Sequence, residues 1–188
     1  MKQDRLLVVG GSAGSLQVIV PVLTALGKDY PMPVLVVLHR NGGFESSLEE
    51  LLSSRTSQAI REVEEKDFLR PGVVYICPAD YHVLVEQDRS FSLDYSERVN
   101  FSRPSIDVTF RSAADVYGGG LIALLLSGGN ADGAEGMEYV QRRGGYTVVQ
   151  DPLTAEVPYM PQQVLLRMTV DVVASTEALP ALVRALGR

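Results

Sequence analysis

The chain has 188 residues, of which 46% are hydrophobic, and this is enough to bury a substantial core in a single globular domain. Seventeen basic and twenty-three acidic residues give a net charge of −6 without a basic cluster, so we expect no nucleic acid as a partner. One cysteine, Cys77, cannot form an internal disulfide, and the apolar runs are too short for a signal peptide or a membrane span. We therefore expect a cytoplasmic protein without direct membrane insertion.

Short apolar runs alternate with helical patterns along the chain. Strands covered on both faces are predicted for residues 6–9, 33–38, 121–126 and 146–149. Helices are predicted for residues 16–26, 46–52, 106–117 and 132–143, and a last amphipathic helix for residues 177–186. The alternation predicts an α/β fold, doubly wound, with a mostly parallel sheet and helices on both faces. In such a fold the ligand crevice lies beyond the carboxyl ends of the strands.

Residues 72–95 interrupt this alternation. Three short strand patterns, at 73–76, 82–86 and 91–95, are joined by turns that contain proline or aspartate. We expect a small antiparallel hairpin at the edge of the fold.

Ser12 stands in a glycine-rich turn directly after the first predicted strand. Gly11 and Gly14 permit a tight turn, which would present the serine hydroxyl at the crevice. The backbone N–H of Ala13, at the start of the next helix, could stabilise a developing oxyanion. The pattern is similar to a nucleophile elbow, but the same serine could instead cap the helix.

A serine nucleophile needs a base, and the chain has only two histidines, His39 and His82. His39 directly follows the predicted strand 33–38, and Asp132 follows the strand 121–126, so both are expected at the same sheet edge as Ser12. Asp132 would accept the Nδ1–H of His39 and fix the tautomer of the imidazole. The alternatives are a surface-loop histidine and a helix-capping aspartate. His82 opens a predicted edge strand, and we interpret it as structural.

These motifs, in this order, resemble the catalytic domain of CheB-type protein-glutamate methylesterases of bacterial chemotaxis. The resemblance includes residues 11–14, His39, residues 103–110 and residues 128–133, and it extends from about residue 6 to the final helix. It implies that residues 1–188 form a single CheB-like methylesterase catalytic domain, with no receiver domain present in this chain. The resemblance leaves open a regulatory receiver domain as a partner, either on another chain or in a segment missing here.

The resemblance implies a catalytic triad of Ser12, His39 and Asp132. Oxyanion-binding and site-shaping positions would be Ala13, Gly11, Gly14, Gly128 and Gly129. The implied reaction is demethylation of glutamate methyl esters on the cytoplasmic helices of methylated chemoreceptors, with release of methanol. Some members also deamidate receptor glutamines. No metal or organic cofactor is expected.

Three positions depart from what is common in this family. Ala13 stands where a threonine is common, Gly129 where a methionine is common, and Leu38 where a glutamine is frequent. These departures leave open a catalytically impaired module that binds receptors without turnover. A nucleotide-binding α/β protein is a further alternative, but neither glycine-rich turn contains a Gly-x-Gly-x-x-Gly motif or a Walker lysine.

Overall fold

The structure is a computed structural model that describes residues 4–40 and 45–188, without the side chains of residues 45–47. Its strands are β1 (Leu6–Gly11), β2 (Val34–Leu38), β3 (Ala59–Glu62), β4 (Val73–Ile76), β5 (His82–Val85), β6 (Phe91–Asp94), β7 (Leu121–Leu125), β8 (Tyr146–Gln150) and β9 (Val172–Ala174). Its helices are α1 (Leu16–Leu26), α2 (Glu45–Arg55), α3 (Ile106–Tyr117), α4 (Ala134–Arg142), α5 (Tyr159–Arg167) and α6 (Leu179–Leu186).

Seven strands form one parallel sheet in the order β3-β4-β2-β1-β7-β8-β9. The doubly wound α/β fold expected from the sequence is confirmed. β1 lies between β2 and β7. The strands β2, β3 and β4 extend the sheet on one side of β1, and β7, β8 and β9 extend it on the other. The carboxyl ends of these three strands therefore border the crevice at the topological switch point.

Alternate residues of the central strands pack into two separate cores. Leu6 and Val8 of β1 face the core that contains α3, α4, α5 and the β5–β6 hairpin. Leu7 and Val9 face the core that contains α1, α2 and α6. Because both faces are covered, the central strands are apolar at nearly every position, which is why they appear as continuous apolar runs in the sequence.

The structure differs from the sequence expectation at the sheet edges. β4 pairs in parallel with β2 and β3 instead of joining the hairpin. The expected antiparallel hairpin is confirmed for β5 and β6, which form a separate two-stranded sheet. The strands β3 and β9 and the helix α5 were not predicted, because they are short and only partly apolar. α4 begins two residues later than predicted, since Gly133 has a φ of 95° that a right-handed helix cannot include.

No helix in residues 4–40 or 45–188 combines the length and the apolar character that crossing a membrane requires.

Candidate active site

Ser12, His39 and Asp132 follow β1, β2 and β7, so the fold brings all three to one edge of the sheet. The backbone N–H of Ser12 donates to the carbonyl of Ser127 at 2.9 Å, and that of His39 donates to the carbonyl of Gly11 at 3.1 Å. Ser12 and His39 line the same cavity, of about 240 Å³. The sequence expectation that these residues share one edge agrees with this placement.

Asp132 is completely buried and is surrounded by hydrogen-bond donors. Its Oδ2 accepts from Nε2 of His39 at 2.7 Å and from the N–H of Ile106 at 2.6 Å. Its Oδ1 accepts from the Ser105 hydroxyl at 2.8 Å, the Asp107 N–H at 3.1 Å and Nδ2 of Asn100 at 3.1 Å. Five donors thus compensate for the loss of water around this carboxylate.

Two of these donors are the first backbone N–H groups of α3, so Asp132 lies at the positive end of the dipole of that helix. Burial acts to raise the pKa of Asp132. The hydrogen bond and the charge of His39, with the bonds from Ile106 and Asn100, outweigh burial and hold the pKa below its ordinary value. Asp132 therefore binds both His39 and the amino end of α3, whose N-cap residue is Ser105.

The orientation of His39 differs from the sequence expectation. Asp132 binds Nε2 rather than Nδ1, and Nδ1 faces the hydroxyl of Ser102 at 3.3 Å. Nε2 therefore donates to the carboxylate, which leaves Nδ1 as the nitrogen with an available lone pair. Among the described residues, no hydrogen bond joins the Ser12 hydroxyl to His39. The sequence expectation of an Nδ1–H bond to Asp132 is wrong in this structure, where His39 and Asp132 are hydrogen-bonded through Nε2.

The turn after β1 leaves the Ser12 side chain free of a helix-capping role. α1 begins at Leu16, and its N-cap is Ser15, whose hydroxyl donates to the Ser12 carbonyl at 2.6 Å. Within the described ranges, the N–H groups of Ala13 and Gly14 donate to no acceptor. They remain available next to the serine, whereas the N–H of Ser12 is already bound to Ser127.

Close packing explains several glycines of this site. Gly14 has a φ of 76°, and a Cβ there would lie 2.8 Å from Oγ of Ser127. At Gly128 a Cβ would lie 2.5 Å from Cε of Met160 and 3.0 Å from Cβ of Ser12.

The other two predicted glycines differ from each other. At Gly11 a Cβ would lie 2.5 Å from Cβ of Ser15, so a side chain is excluded there. At Gly129 the nearest atom would be Cγ1 of Val157 at 4.0 Å, and the space is open. Close packing therefore constrains Gly11 but not Gly129.

Ser105 was expected to cap the helix at 106–117, and it is the N-cap of α3. The contacts of its segment with Asp132 and His39 were not predicted from the sequence. Asn100 and Ser105 bind Asp132, and Ser102 contacts His39. The resemblance in residues 103–110 marked part of this segment. Its hydrogen bonds to Asp132, however, span 25 to 32 residues and leave no periodic signal.

Asp107 is a second buried carboxyl beside Asp132. Its Oδ1 accepts from the N–H of Gly136 at 2.6 Å, and its Oδ2 accepts from Nδ2 of Asn100 at 2.7 Å. Burial, assisted by the charge of Asp132, raises the pKa of Asp107 to about 6. Of the two neighbouring carboxyls, Asp132 therefore carries the negative charge more readily.

His82 is buried and lies outside the cavity lining, as its interpretation as a structural residue requires. Its Nδ1 accepts from the N–H of Ser105 at 3.0 Å, and its Nε2 donates to the carbonyl of Glu97 at 2.9 Å. His82 thereby connects Glu97 and Ser105, the two ends of the segment that contains Asn100 and Ser102.

The cavity has a basic lining in a chain of negative net charge. Its described lining includes Arg40, Arg98 and Arg103 and contains no carboxylate. Arg40 pairs with Glu62 at 2.6 Å, outside the lining. Over the described ranges, no group of three or more histidine, cysteine, aspartate or glutamate side chains has the arrangement of a metal site.

Comparisons with known proteins give one family. The CheB methylesterase family pattern matches residues 7–183. A relative from Leptospira interrogans is 40% identical over 176 residues, covering 94% of this chain and 91% of the relative. A protein-glutamate methylesterase/protein-glutamine glutaminase from Symbiobacterium thermophilum is 36% identical over 97% of this chain, which spans only 51% of that relative.

A solved structure supports the same family assignment. The crystal structure of the Thermotoga maritima CheB methylesterase catalytic domain superimposes with a TM-score of 0.93 at 32% identity. The match covers 97% of this chain and 98% of that domain. The extent of the family match and this similarity of structure lead to one conclusion: the chain belongs to the CheB methylesterase family.

Proposed function

We propose that this protein is a serine hydrolase that removes methyl groups from glutamate methyl esters of bacterial chemoreceptors, and that it also deamidates receptor glutamines. The observation that carries the proposal is the 2.7 Å bond between Nε2 of His39 and the buried carboxylate of Asp132, at the sheet edge where Ser12 lies. The relatives from Symbiobacterium thermophilum and Thermotoga maritima, named for both activities, support it.

In the first half of the reaction, the Ser12 hydroxyl attacks the ester carbonyl carbon while Nδ1 of His39 takes its proton. Asp132 stabilises the imidazolium through the opposite nitrogen. The oxyanion that forms is bound by the N–H groups of Ala13 and Gly14. The bond between the carbonyl carbon and the methoxy oxygen then breaks, and His39 returns the proton to that oxygen, which gives methanol.

In the second half, water attacks the glutamyl ester of Ser12 and gives its proton to Nδ1 of His39. The bond to Oγ of Ser12 breaks, and His39 protonates that oxygen. The free enzyme and a glutamate carboxylate result. A receptor glutamine would follow the same route with ammonia as the leaving group. These steps require Ser12 to reach the nitrogen that Ser102 contacts in this structure.

The test is methanol release from a methyl-esterified cytoplasmic fragment of a chemoreceptor. We expect release by the intact chain and loss of at least about 10³-fold in Ser12→Ala and His39→Ala. Ser54→Ala, which changes a serine on α2, is the matched control and should retain full activity. Ammonia release from a fragment with glutamine at the modified positions tests the second activity.

Equal binding of the fragment by the intact chain and by Ser12→Ala, with no turnover by either, would support the impaired receptor-binding module instead. The complete His39–Asp132 pair and the named relatives argue against that alternative. A folded chain that neither binds nor hydrolyses the fragment would contradict the proposed substrate.

A further inference from the structure

A tight turn at residues 99–102 borders the catalytic cavity. Val99 and Ser102 exchange two backbone hydrogen bonds, of 3.1 and 2.9 Å. The two central residues, Asn100 and Phe101, have φ values of 50° and 64°. Positive φ at both central positions is typical of a type I′ turn, in which asparagine and glycine are the usual residues.

Asn100 has an evident reason to occupy this turn, since its amide donates to both Asp107 and Asp132. The described structure gives Phe101 no comparable role in stabilising the fold. A phenylalanine disfavours the left-handed conformation, and 92% of this one is exposed to solvent. The position therefore costs stability through its backbone, and nearly all of this aromatic residue remains accessible to solvent. Such a combination beside a catalytic cavity indicates a role in binding.

The surroundings of the ring indicate the chemistry of its partner. Phe101 lines the cavity together with Ser12, His39 and three arginines. Arg103 lies over the ring of Tyr95 at 3.8 Å, and its Nη1 donates to the carbonyls of Tyr95 and Ser96. Its guanidinium is thus fixed without a carboxylate partner in the described part of the chain. Arg98 is half-exposed and forms a long, solvent-accessible ion pair with Asp80 at 3.6 Å.

We propose that Phe101, Arg98 and Arg103 form a docking surface for an acidic segment of the protein substrate. An apolar side chain next to the esterified glutamate would pack on the ring of Phe101, and neighbouring carboxylates would pair with the two arginines. The inference rests on the proposed function, which it extends from the reacting ester to the residues around it. The arginine-rich lining favours an acidic partner. Because Ser12 and His39 line the same cavity as the ring of Phe101, that partner is the substrate chain around the reacting ester and not a second copy or a lipid.

The experiment compares two substrates: the methyl-esterified receptor fragment and a small γ-methyl ester of a blocked glutamate. In Phe101→Gly the turn keeps its conformation, because glycine adopts positive φ freely. The ratio of kcat/KM for the fragment to kcat/KM for the small ester should fall roughly tenfold, as is typical for loss of an aromatic anchor. The matched control is Leu166→Ala, which removes an exposed apolar side chain from the end of α5, and its ratio should not change.

Phe101→Gly should also unfold at the same or a higher temperature, because it relieves the backbone strain. Phe101→Leu, which keeps an apolar side chain, should retain most of the ratio. An unchanged ratio in Phe101→Gly would overturn the proposal. Equal losses on both substrates would overturn it too, since they would mean that the ring acts through the adjacent Ser102 and His39.

A binding measurement separates this proposal from the proposed function. The Kd of the fragment is compared between Ser12→Ala and the double variant Ser12→Ala/Phe101→Gly, at low and high salt. We expect weaker binding by roughly tenfold in the double variant and weaker binding of both at high salt. Equal Kd values, or no binding by either protein, would refute the docking surface. Absence of methanol release by the intact chain would refute only the esterase activity.

Discussion

The hydroxyl of Ser102 lies 3.3 Å from Nδ1 of His39, on the side of the imidazole opposite to the nitrogen that Asp132 binds. The serine that contacts the imidazole is thus not the one that the sequence motif selects. Ser102 lies in a turn where its own N–H is bound to Val99. Beside Ser12, the N–H groups of Ala13 and Gly14 donate to no acceptor in the described part of the chain. An oxyanion can therefore be stabilised next to Ser12, which supports its assignment as nucleophile.

We predict that Ser12→Ala and Ser102→Ala differ by about two orders of magnitude or more in kcat. Ser102→Ala should change kcat by less than about fivefold, because the bond to Asp132 still orients His39. Methanol release by the two variants, with mass spectrometry of the serine labelled by a phosphonate ester, checks the assignment. Labelling at Ser102 would reverse it.

The dense set of donors around Asp132 predicts a large effect of Asp132→Asn. The asparagine has no negative charge to stabilise the imidazolium, and its NH₂ group would face donors of the α3 end. We expect kcat to fall by roughly 10³- to 10⁴-fold and the free energy of unfolding to fall by about 1–3 kcal/mol. Kinetics and urea unfolding measure the two effects. Asp88→Asn, at an exposed turn, is the control, and near-normal activity of Asp132→Asn would contradict the proposed triad.

Two neighbouring glycines provide a matched comparison. Gly128→Ala places a methyl group 3.0 Å from Cβ of Ser12, so it should displace the serine and lower kcat by at least about tenfold. Gly129→Ala enters open space and should retain activity within about twofold. Gly129→Met should likewise fold normally. Thermal unfolding of each variant shows whether the loss in Gly128→Ala is local. Equal activities of the two alanine variants would contradict the close packing at Ser12.

The raised pKa of Asp107 predicts a pH dependence of stability. Its pKa is about 6 in the folded chain and about 3.9 in the unfolded chain. Protonation of Asp107 therefore favours the fold; this contribution is complete below about pH 4 and is lost as the pH rises through about 6. The free energy of unfolding of the intact chain minus that of Asp107→Asn should decrease by about 2–3 kcal/mol between pH 4 and pH 7. Urea unfolding at four pH values in this range measures the difference, and a constant difference would refute the assignment.

The sequence by itself determined the α/β fold and the edge at which the site lies. The apolar runs of β1, β2 and β7 are local patterns, and parallel strands must present their carboxyl ends at one edge. Ser12 and His39 directly follow their strands, so their meeting could be inferred without coordinates. The edge strands β3 and β9 could not, because three or four residues that are only partly apolar carry too weak a pattern.

Only the tertiary structure decided which atoms of the site form hydrogen bonds with each other. Which nitrogen of His39 meets Asp132 depends on atomic positions brought together across 93 residues of chain. The same is true of the support from Asn100 and Ser105, and of the exposed ring of Phe101. Hydrogen bonds form within a few tenths of an ångström and depend on direction, whereas periodicity in a sequence reports only which face of an element is buried. Local patterns therefore predicted where the residues lie, and the packing of α3 against the sheet edge fixed what each of them contacts.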